Sequence, residues 1–593
     1  MAFHRTGRAH ARARRLASCT ALALASGLLL SGTAGTAVAD DGSGAPAGRA
    51  PVERATPGIE LPQGQFPKER TRMSTGATKG AAAPSRHDFT GDGSSDLLYR
   101  GLDGRYYLKR SEDPANDIEF SLYGSGGEKF KDVIPVGDVT GDNTADVLTL
   151  SPYGVLSLRG TYQGGSGTTG PQWTGTGWNI YNKVLSLGDV TGDRKVDVLA
   201  RTFGGELYLF RGTGVPHAPF KPRVKVGTGW HAYDQLVGVN DADGDGRGDL
   251  YARTPGGDLV FYAGTGKAAA PFKTRVKVGT GWHAYNQLSS SDDITGDGRP
   301  ELFARTTGGA LYYYGTNATT GRPTARTTFA TSGWNVADLI VGAGGIPQTG
   351  KAEILGLDRE GTLFLYYSRN NGTLTARDQI SSTGGWTGAR VHFPSSLDGN
   401  GHADLLEVYR GHLYNFERAE GGVHSLGRGW DAFNTLTGPG DLTGDGKGDL
   451  LARTTGGTLY LYRGDGKGYA FSGRVSVGTG WGAYNALAGA GDITGDGRAD
   501  LLARTPGGTL YLYAGTGSAN APFKARVKVG TGWNAYTKLV APGDITGDGR
   551  ADLLAVTSGG ILYRYVAAHT GTANPFTTRT SLGKGWNTYT QLH

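Results

Sequence analysis

The residues of this chain best equipped for chemistry are aspartates that recur in short glycine-rich loops. The clearest run is Gly491-Asp492-Ile493-Thr494-Gly495-Asp496-Gly497-Arg498-Ala499-Asp500. Counted from Asp492, it sets oxygen-bearing side chains at the first, third, fifth and ninth positions, and its glycines let the backbone curl tightly enough for them to converge. The seventh residue can add a backbone carbonyl. Clustered oxygens without His or Cys suit a hard cation, and the ligand number and flexibility favour Ca2+ over Mg2+. Three carboxylates gathered without a cation would repel one another, so Ca2+ is expected to act as a folding ligand at several sites.

The pattern repeats in register. Its copies are Asp88, Thr90, Asp92 and Asp96; Asp138, Thr140, Asp142 and Asp146; Asp189, Thr191, Asp193 and Asp197; Asp241, Asp243, Asp245 and Asp249; Asp293, Thr295, Asp297 and Glu301; Asp441, Thr443, Asp445 and Asp449; Asp492, Thr494, Asp496 and Asp500; and Asp544, Thr546, Asp548 and Asp552. The set at Asp241 is the most acidic. A weaker copy holds Ser396, Asp398, Asn400 and Asp404, and the copy from Gly345 to Glu353 has lost its ligands and should be empty. An EF-hand would need a bidentate Glu at position 12 between helices. Here position 12 is Ala503, and the flanks alternate like strands.

A second motif, Gly-Trp-x-x-Tyr/Phe in its fullest form, takes in nine of the ten tryptophans: Trp178, Trp230, Trp282, Trp334, Trp386, Trp430, Trp481, Trp533 and Trp586. Large aromatics dominate core burial, so these rings are read first as packing between repeats. The pairs Trp230 and Tyr233, Trp282 and Tyr285, Trp481 and Tyr484, and Trp533 and Tyr536 are the candidate ligand-binding residues wherever a ring edge is exposed. No catalytic constellation is evident: there is no Gly-x-Ser-x-Gly elbow, no His-Glu-x-x-His and no Walker loop. Nearly all carboxylate pairs fall inside the metal loops, so no enzyme is expected.

The elements that must hold these loops come in an array. Successive copies begin 45 to 52 residues apart, the mark of a repeat architecture. Within one unit Leu501–Arg504, Thr509–Tyr513 and Ala525–Val529 read as strands, with a short fourth around Lys538–Val540. Four antiparallel strands per repeat make a propeller blade, and no stretch shows a sustained helical period. The fold class is therefore all-β, a β-propeller of about ten four-stranded blades. Repeat 1 lacks its Trp and repeat 6 its metal ligands, and they stand five apart, as expected if each opens a ring. Two five-bladed rings in tandem are expected, over 87–340 and 341–593, in preference to one large ring.

On these residues the chain resembles the FG-GAP or VCBS repeats of secreted bacterial proteins, related to the calcium loops of integrin α-subunit propellers, from about residue 88 to the end. A clear Phe-Gly signature is missing, although Gly438-Pro439-Gly440 and Gly489-Ala490-Gly491 match the second half of that pattern. The Gly-Trp motif is similar to that of tachylectin-like propellers. The resemblances imply propeller folding and ligand binding, N-acetylated sugars between blades in the second case.

The N-terminus reads as a secretory signal over 1–39. Five arginines precede the apolar stretch Leu16–Leu30, and Ala37-Val38-Ala39 forms a cleavage site. Residues 40–86, rich in Ala, Gly, Pro and Ser, read as a disordered linker. Removing the signal takes the single Cys and lowers the formal charge from +7 to +2, since five arginines go with it. That excludes a nucleic-acid partner argued from charge, and no membrane insertion is expected after cleavage. The reading is a secreted, non-catalytic, calcium-stabilised propeller, extracellular or loosely attached to the cell surface. It binds a glycan or cell-surface polymer; the alternatives are an integrin-like module for a protein ligand and a polysaccharide hydrolase or lyase.

Overall fold

Alternation along the strands sets the architecture. In Leu510–Tyr513 the leucines are buried and the tyrosines half-buried, the period of a strand with two unlike faces. A computed structural model of the chain describes residues 49, 59–67, 85–122, 130–342, 353–416, 422–568 and 575–593. These form ten four-stranded antiparallel sheets. The expected signal segment lies outside the described residues.

The repeat and the blade are out of phase. Residues Tyr536–Gly543, read from sequence as a short fourth strand, are eight residues long and pair with Asp552–Thr557 as the first strand of the following blade. The outermost strand of the blade before is Val527–Gly530, on Leu510–Tyr513. First strands of neighbouring blades touch, which places them round a central axis.

This hand-over closes two rings. Ala337–Ile340, after the fifth repeat, pairs with Leu97–Gly101 and completes blade 1. Tyr589–Leu592, at the end of the chain, pairs with Glu353–Asp358 and completes blade 6. Blades 1 to 5 thus make one circle and blades 6 to 10 another. Each seam between blades holds its own apolar cluster. Between blades 3 and 4, for example, Leu187, Leu199 and Leu209 meet Trp230, Leu236 and Leu250.

At the axis of the first ring, Arg86 is 1% exposed and ties three blades together. Its guanidinium donates to the carbonyls of Ser186 (2.8 Å) and Gly238 (3.2 Å) and to Asp292 (2.5 Å). Part of the stretch read as linker is built into this ring. Ile59, Leu61 and Phe66 pack on the cluster around Trp334, and the Trp334 indole donates to the Gln63 carbonyl at 2.9 Å.

The rings stack. Loops of the second ring sit on the turns of the first: Tyr153 donates to the Asp398 carbonyl (2.8 Å), Asn179 to that of Gly444 (3.0 Å), Asn182 to that of Asp496 (3.3 Å) and Asn286 to that of Thr546 (3.0 Å). Asn335 donates to the Arg369 carbonyl at 2.9 Å. These contacts set blade 7 over blade 2, blade 8 over the junction of blades 2 and 3, blade 9 over blade 3, and blades 10 and 6 over blade 5 and its junction with blade 1.

Candidate functional site

Each aspartate loop leads into the second strand of its blade, and the ninth-position acid is commonly that strand's first residue, as in Asp249, Asp449, Asp500 and Asp552. The first carboxylate organises the turn. Asp492 accepts backbone N–H groups from Gly495 (2.6 Å), Asp496 (3.1 Å) and Gly497 (2.5 Å). Gly495 and Gly497 have φ of +75° and +83°, the left-handed region that glycine enters freely. The last carboxylate closes it: Asp500 accepts from Ile493 (3.0 Å), Thr494 (2.9 Å) and Gly515 (2.9 Å). The fifth-position acid receives the N–H two residues on, Arg498 to Asp496 at 3.0 Å. The loops from Asp88, Asp138, Asp189, Asp441 and Asp544 hold their first carboxylate in the same way.

Convergence is uneven. Asp241, Asp243 and Asp249 bring carboxylate oxygens within 4.8 Å of one another, as do Asp293, Asp297 and Glu301. Among the described residues no other loop gathers three acids so closely. At the fifth position several loops hold a lysine from the same blade: Asp193 with Lys221 (3.2 Å), Asp245 with Lys273 (2.9 Å) and Asp496 with Lys524 (3.4 Å). In the weaker copy Ser396 and Asn400 both donate to Asp398, at 3.0 and 2.6 Å, and Leu397 N–H donates to Asp404. The ligand-free copy lies outside the described residues except for Glu353, whose carboxylate meets His402 at 3.0 Å.

Electrostatics mark these groups out. Burial, then repulsion from Asp293 and Asp297, pushes Glu301 up to about 8. Burial with neighbouring acids takes Asp449 to about 8 and Asp492 and Asp548 to about 7. Asp249 and Asp500 stand well above the ordinary carboxylate range for the same two reasons. An all-oxygen donor set whose charged form is disfavoured by burial and mutual repulsion is chemically suited to a hard divalent cation.

The aromatic motif is packing. A glycine with positive φ, such as Gly281 at +78°, starts a 3-10 turn over Trp282–Ala284. Trp230, Trp282, Trp481 and Trp533 are only 7 to 8% exposed, and Tyr233, Tyr285, Tyr484 and Tyr536 are buried. Trp282 lies 4.8 Å from the Tyr314 ring and Trp230 4.9 Å from Tyr262. Little of either ring is exposed at these four pairs.

Two recurrent features escaped the sequence reading. An Ala-Arg-Thr tripeptide in the second strand buries its arginine, and Arg253 donates to the carbonyls of Trp282 (3.2 Å) and Tyr285 (2.5 Å) while pairing with Asp234 at 2.7 Å. Arg201, Arg305, Arg453 and Arg504 reach the equivalent carbonyls. Their five-fold recurrence as Ala-Arg-Thr was the available signal. The second feature is an exposed arginine just before or within the outermost strand, laid against tyrosines.

Fold and loops together define a tandem β-propeller with repeated acidic loops. Residues 441–503 and 492–555 match the model of the FG-GAP-like repeat, so the chain carries repeats of that kind. Among solved structures it is similar to the BP39L lectin from Burkholderia pseudomallei, with 13% identity, 68% of this chain and 100% of the other covered, and a TM-score of 0.22. It is also similar to BBS1N in complex with ARL6DN, with 14% identity, 55% and 90% covered, and a TM-score of 0.20. No curated protein matches the chain. Among the described residues no helix is long and apolar enough to cross a membrane.

Proposed function

We propose that this protein is a secreted, non-catalytic tandem propeller, stabilised by Ca2+ in its aspartate loops, that binds an extracellular glycan or cell-surface polymer. The observation that carries the calcium part is the convergence of Asp241, Asp243 and Asp249 within 4.8 Å. Carboxylates so placed repel unless a cation joins them. The FG-GAP-like repeats support binding over turnover.

The test has two arms. Calcium titration of the metal-stripped protein should raise the thermal midpoint, as for any ligand that binds only the folded state; a midpoint unchanged between calcium and EDTA overturns the calcium reading. A glycan array probed in calcium and in EDTA should show retention on polymer spots that is lost with the metal. Turnover of a polysaccharide, or retention on a protein partner alone, overturns the binding reading.

A further inference from the structure

Seven blades carry an exposed arginine laid against aromatic side chains on the outer part of the blade. In the first ring these are Arg223, Arg275 and Arg326, on blades 3, 4 and 5. In the second they are Arg377, Arg474, Arg526 and Arg579, on blades 6, 8, 9 and 10. Six lie over a ring: Arg223 stands 4.3 Å from the Tyr208 centroid, Arg526 4.3 Å from Tyr511, Arg579 4.2 Å from Tyr563 and Arg326 4.6 Å from Tyr312. Arg474 and Arg377 are both 4.7 Å from Tyr460 and Phe364. Arg223, Arg526 and Arg579 also donate to a second tyrosine, Tyr181, Tyr484 and Tyr536.

These guanidinium groups are held in place, yet among the described residues none is in an ion pair. The lysines beside them are different. Lys221, Lys225, Lys273 and Lys277 meet Asp193, Glu206, Asp245 and Asp258 at 3.2, 2.5, 2.9 and 2.7 Å. On blades 3 and 4 the edge lysines are thus paired with acids while the edge arginines are held by aromatic rings and hydroxyls.

Position on the stacked rings argues against a generic role. Charge on an outermost strand blocks edge-to-edge pairing, but that need is the same on every blade. Blades 1 and 2 have no arginine on their outermost strands, whereas blade 7 has Arg428 at the end of its own. Blades 1 and 2 adjoin, so the first ring keeps its bare strands on one flank, and blades 7 and 8 both sit over blade 2, through Tyr153 and the Asp398 and Gly466 carbonyls. The arginines of blades 3, 4 and 5 lie on the other flank, with blade 9 over blade 3 and blades 10 and 6 over blade 5 and its junction with blade 1. The arcs of blades 3 to 5 and of blades 8, 9, 10 and 6 are each unbroken, since blade 10 packs against blade 6 across the ring closure.

We infer that this flank is a binding face for an extended acidic polysaccharide, whose successive carboxylates are met by successive arginines. A planar fork fixed against a ring loses little entropy on pairing and suits a carboxylate. The inference rests on the polymer-binding reading above and names the polymer's charge and the face that takes it.

The full-length protein in calcium buffer is tested against polyglucuronic acid, its carboxyl-reduced neutral form and inorganic polyphosphate. Polyglucuronic acid should bind and weaken as salt is raised, and the neutral form should not bind. The triple variant Arg326→Gln, Arg526→Gln, Arg579→Gln should lose about tenfold or more in affinity, the scale of one charge-assisted contact, with an unchanged melt. Arg105→Gln, on bare blade 1, should change nothing. Wild-type affinity in the triple variant, equal binding of the neutral polymer, or binding of polyphosphate alone overturns the inference. If the neutral polymer binds and the triple variant binds it as well, the polymer reading stands while this inference falls. If no polymer binds, both fall.

Discussion

Within one loop the aspartates have separable duties. Asp500 accepts three backbone N–H groups, whereas Asp496 accepts one and faces Lys524. Asp500→Ala should therefore destabilise the protein by about 3 kcal/mol even without calcium, because buried donors lose their acceptor. Asp496→Ala should leave the calcium-free melt nearly unchanged and reduce the rise on adding calcium; calorimetry of both variants with and without metal separates the two. A second residue-level expectation concerns Arg253, which holds Asp234 and two carbonyls in a buried site. Arg253→Met should cost about 3–5 kcal/mol, since it strands a buried carboxylate, measurable by chemical denaturation.

Histidines set a pH limit at the same scale. Burial holds His392 well below its ordinary value, with His593 and Arg390 adding to the effect. His87 is lowered by burial against the opposing pull of Asp292. The unfolded chain then binds more protons than the folded one below the ordinary histidine value. Stability is full above that value and falls as pH drops, by about 1.4 kcal/mol per pH unit for each histidine that stays neutral. Melts between pH 7.5 and 5.5 should show this slope, and His392→Phe should make it shallower.

At the scale of elements, the strand spacing, the loops and the blade count were legible because each follows from local periodicity and glycine placement. The phase of the blade was not. Lys538–Val540 looks short because Tyr536 and Thr537 follow the Trp533 turn and Pro542-Gly543 read as loop, and nothing local says that the strand pairs forwards. The arginine contacts of the second strands were missed for a related reason: charged residues in a strand are expected outside, and only the turn carbonyls of the neighbouring Gly-Trp motif make burial of Arg201 or Arg305 affordable. The lysines at the fifth position were missed as well, because they come from some 28 residues away, as Lys221 does to Asp193. Ring closure follows from the phase. A chain ending before Tyr589 should lose the cooperative melt of the second ring and keep that of the first, read by two-step calorimetry.

For the whole molecule, the proposal that the loops hold calcium predicts a coupling between metal and ring docking. The Gly444, Asp496 and Thr546 carbonyls that take hydrogen bonds from the first ring lie inside aspartate loops of the second. Loosening those loops removes the acceptors from position. EDTA should speed amide exchange in 441–449, 492–500 and 544–552, and at the turns around Asn182 and Asn286 on the facing ring. Equal protection of those turns in calcium and EDTA would show that docking is independent of the metal.

The offset between repeat and blade bears finally on how such a chain can be lengthened or shortened across generations. A stretch of DNA encoding one repeat, copied or lost between any two equivalent points, delivers three strands to one blade and a first strand to the next. Every interior blade stays complete after such an exchange, and only the number of blades in the circle changes. Recombination is therefore blind to where a blade begins. The selective test falls on circumference: whether five wedge-shaped sheets still meet when a sixth is offered, and whether the last strand still finds the first.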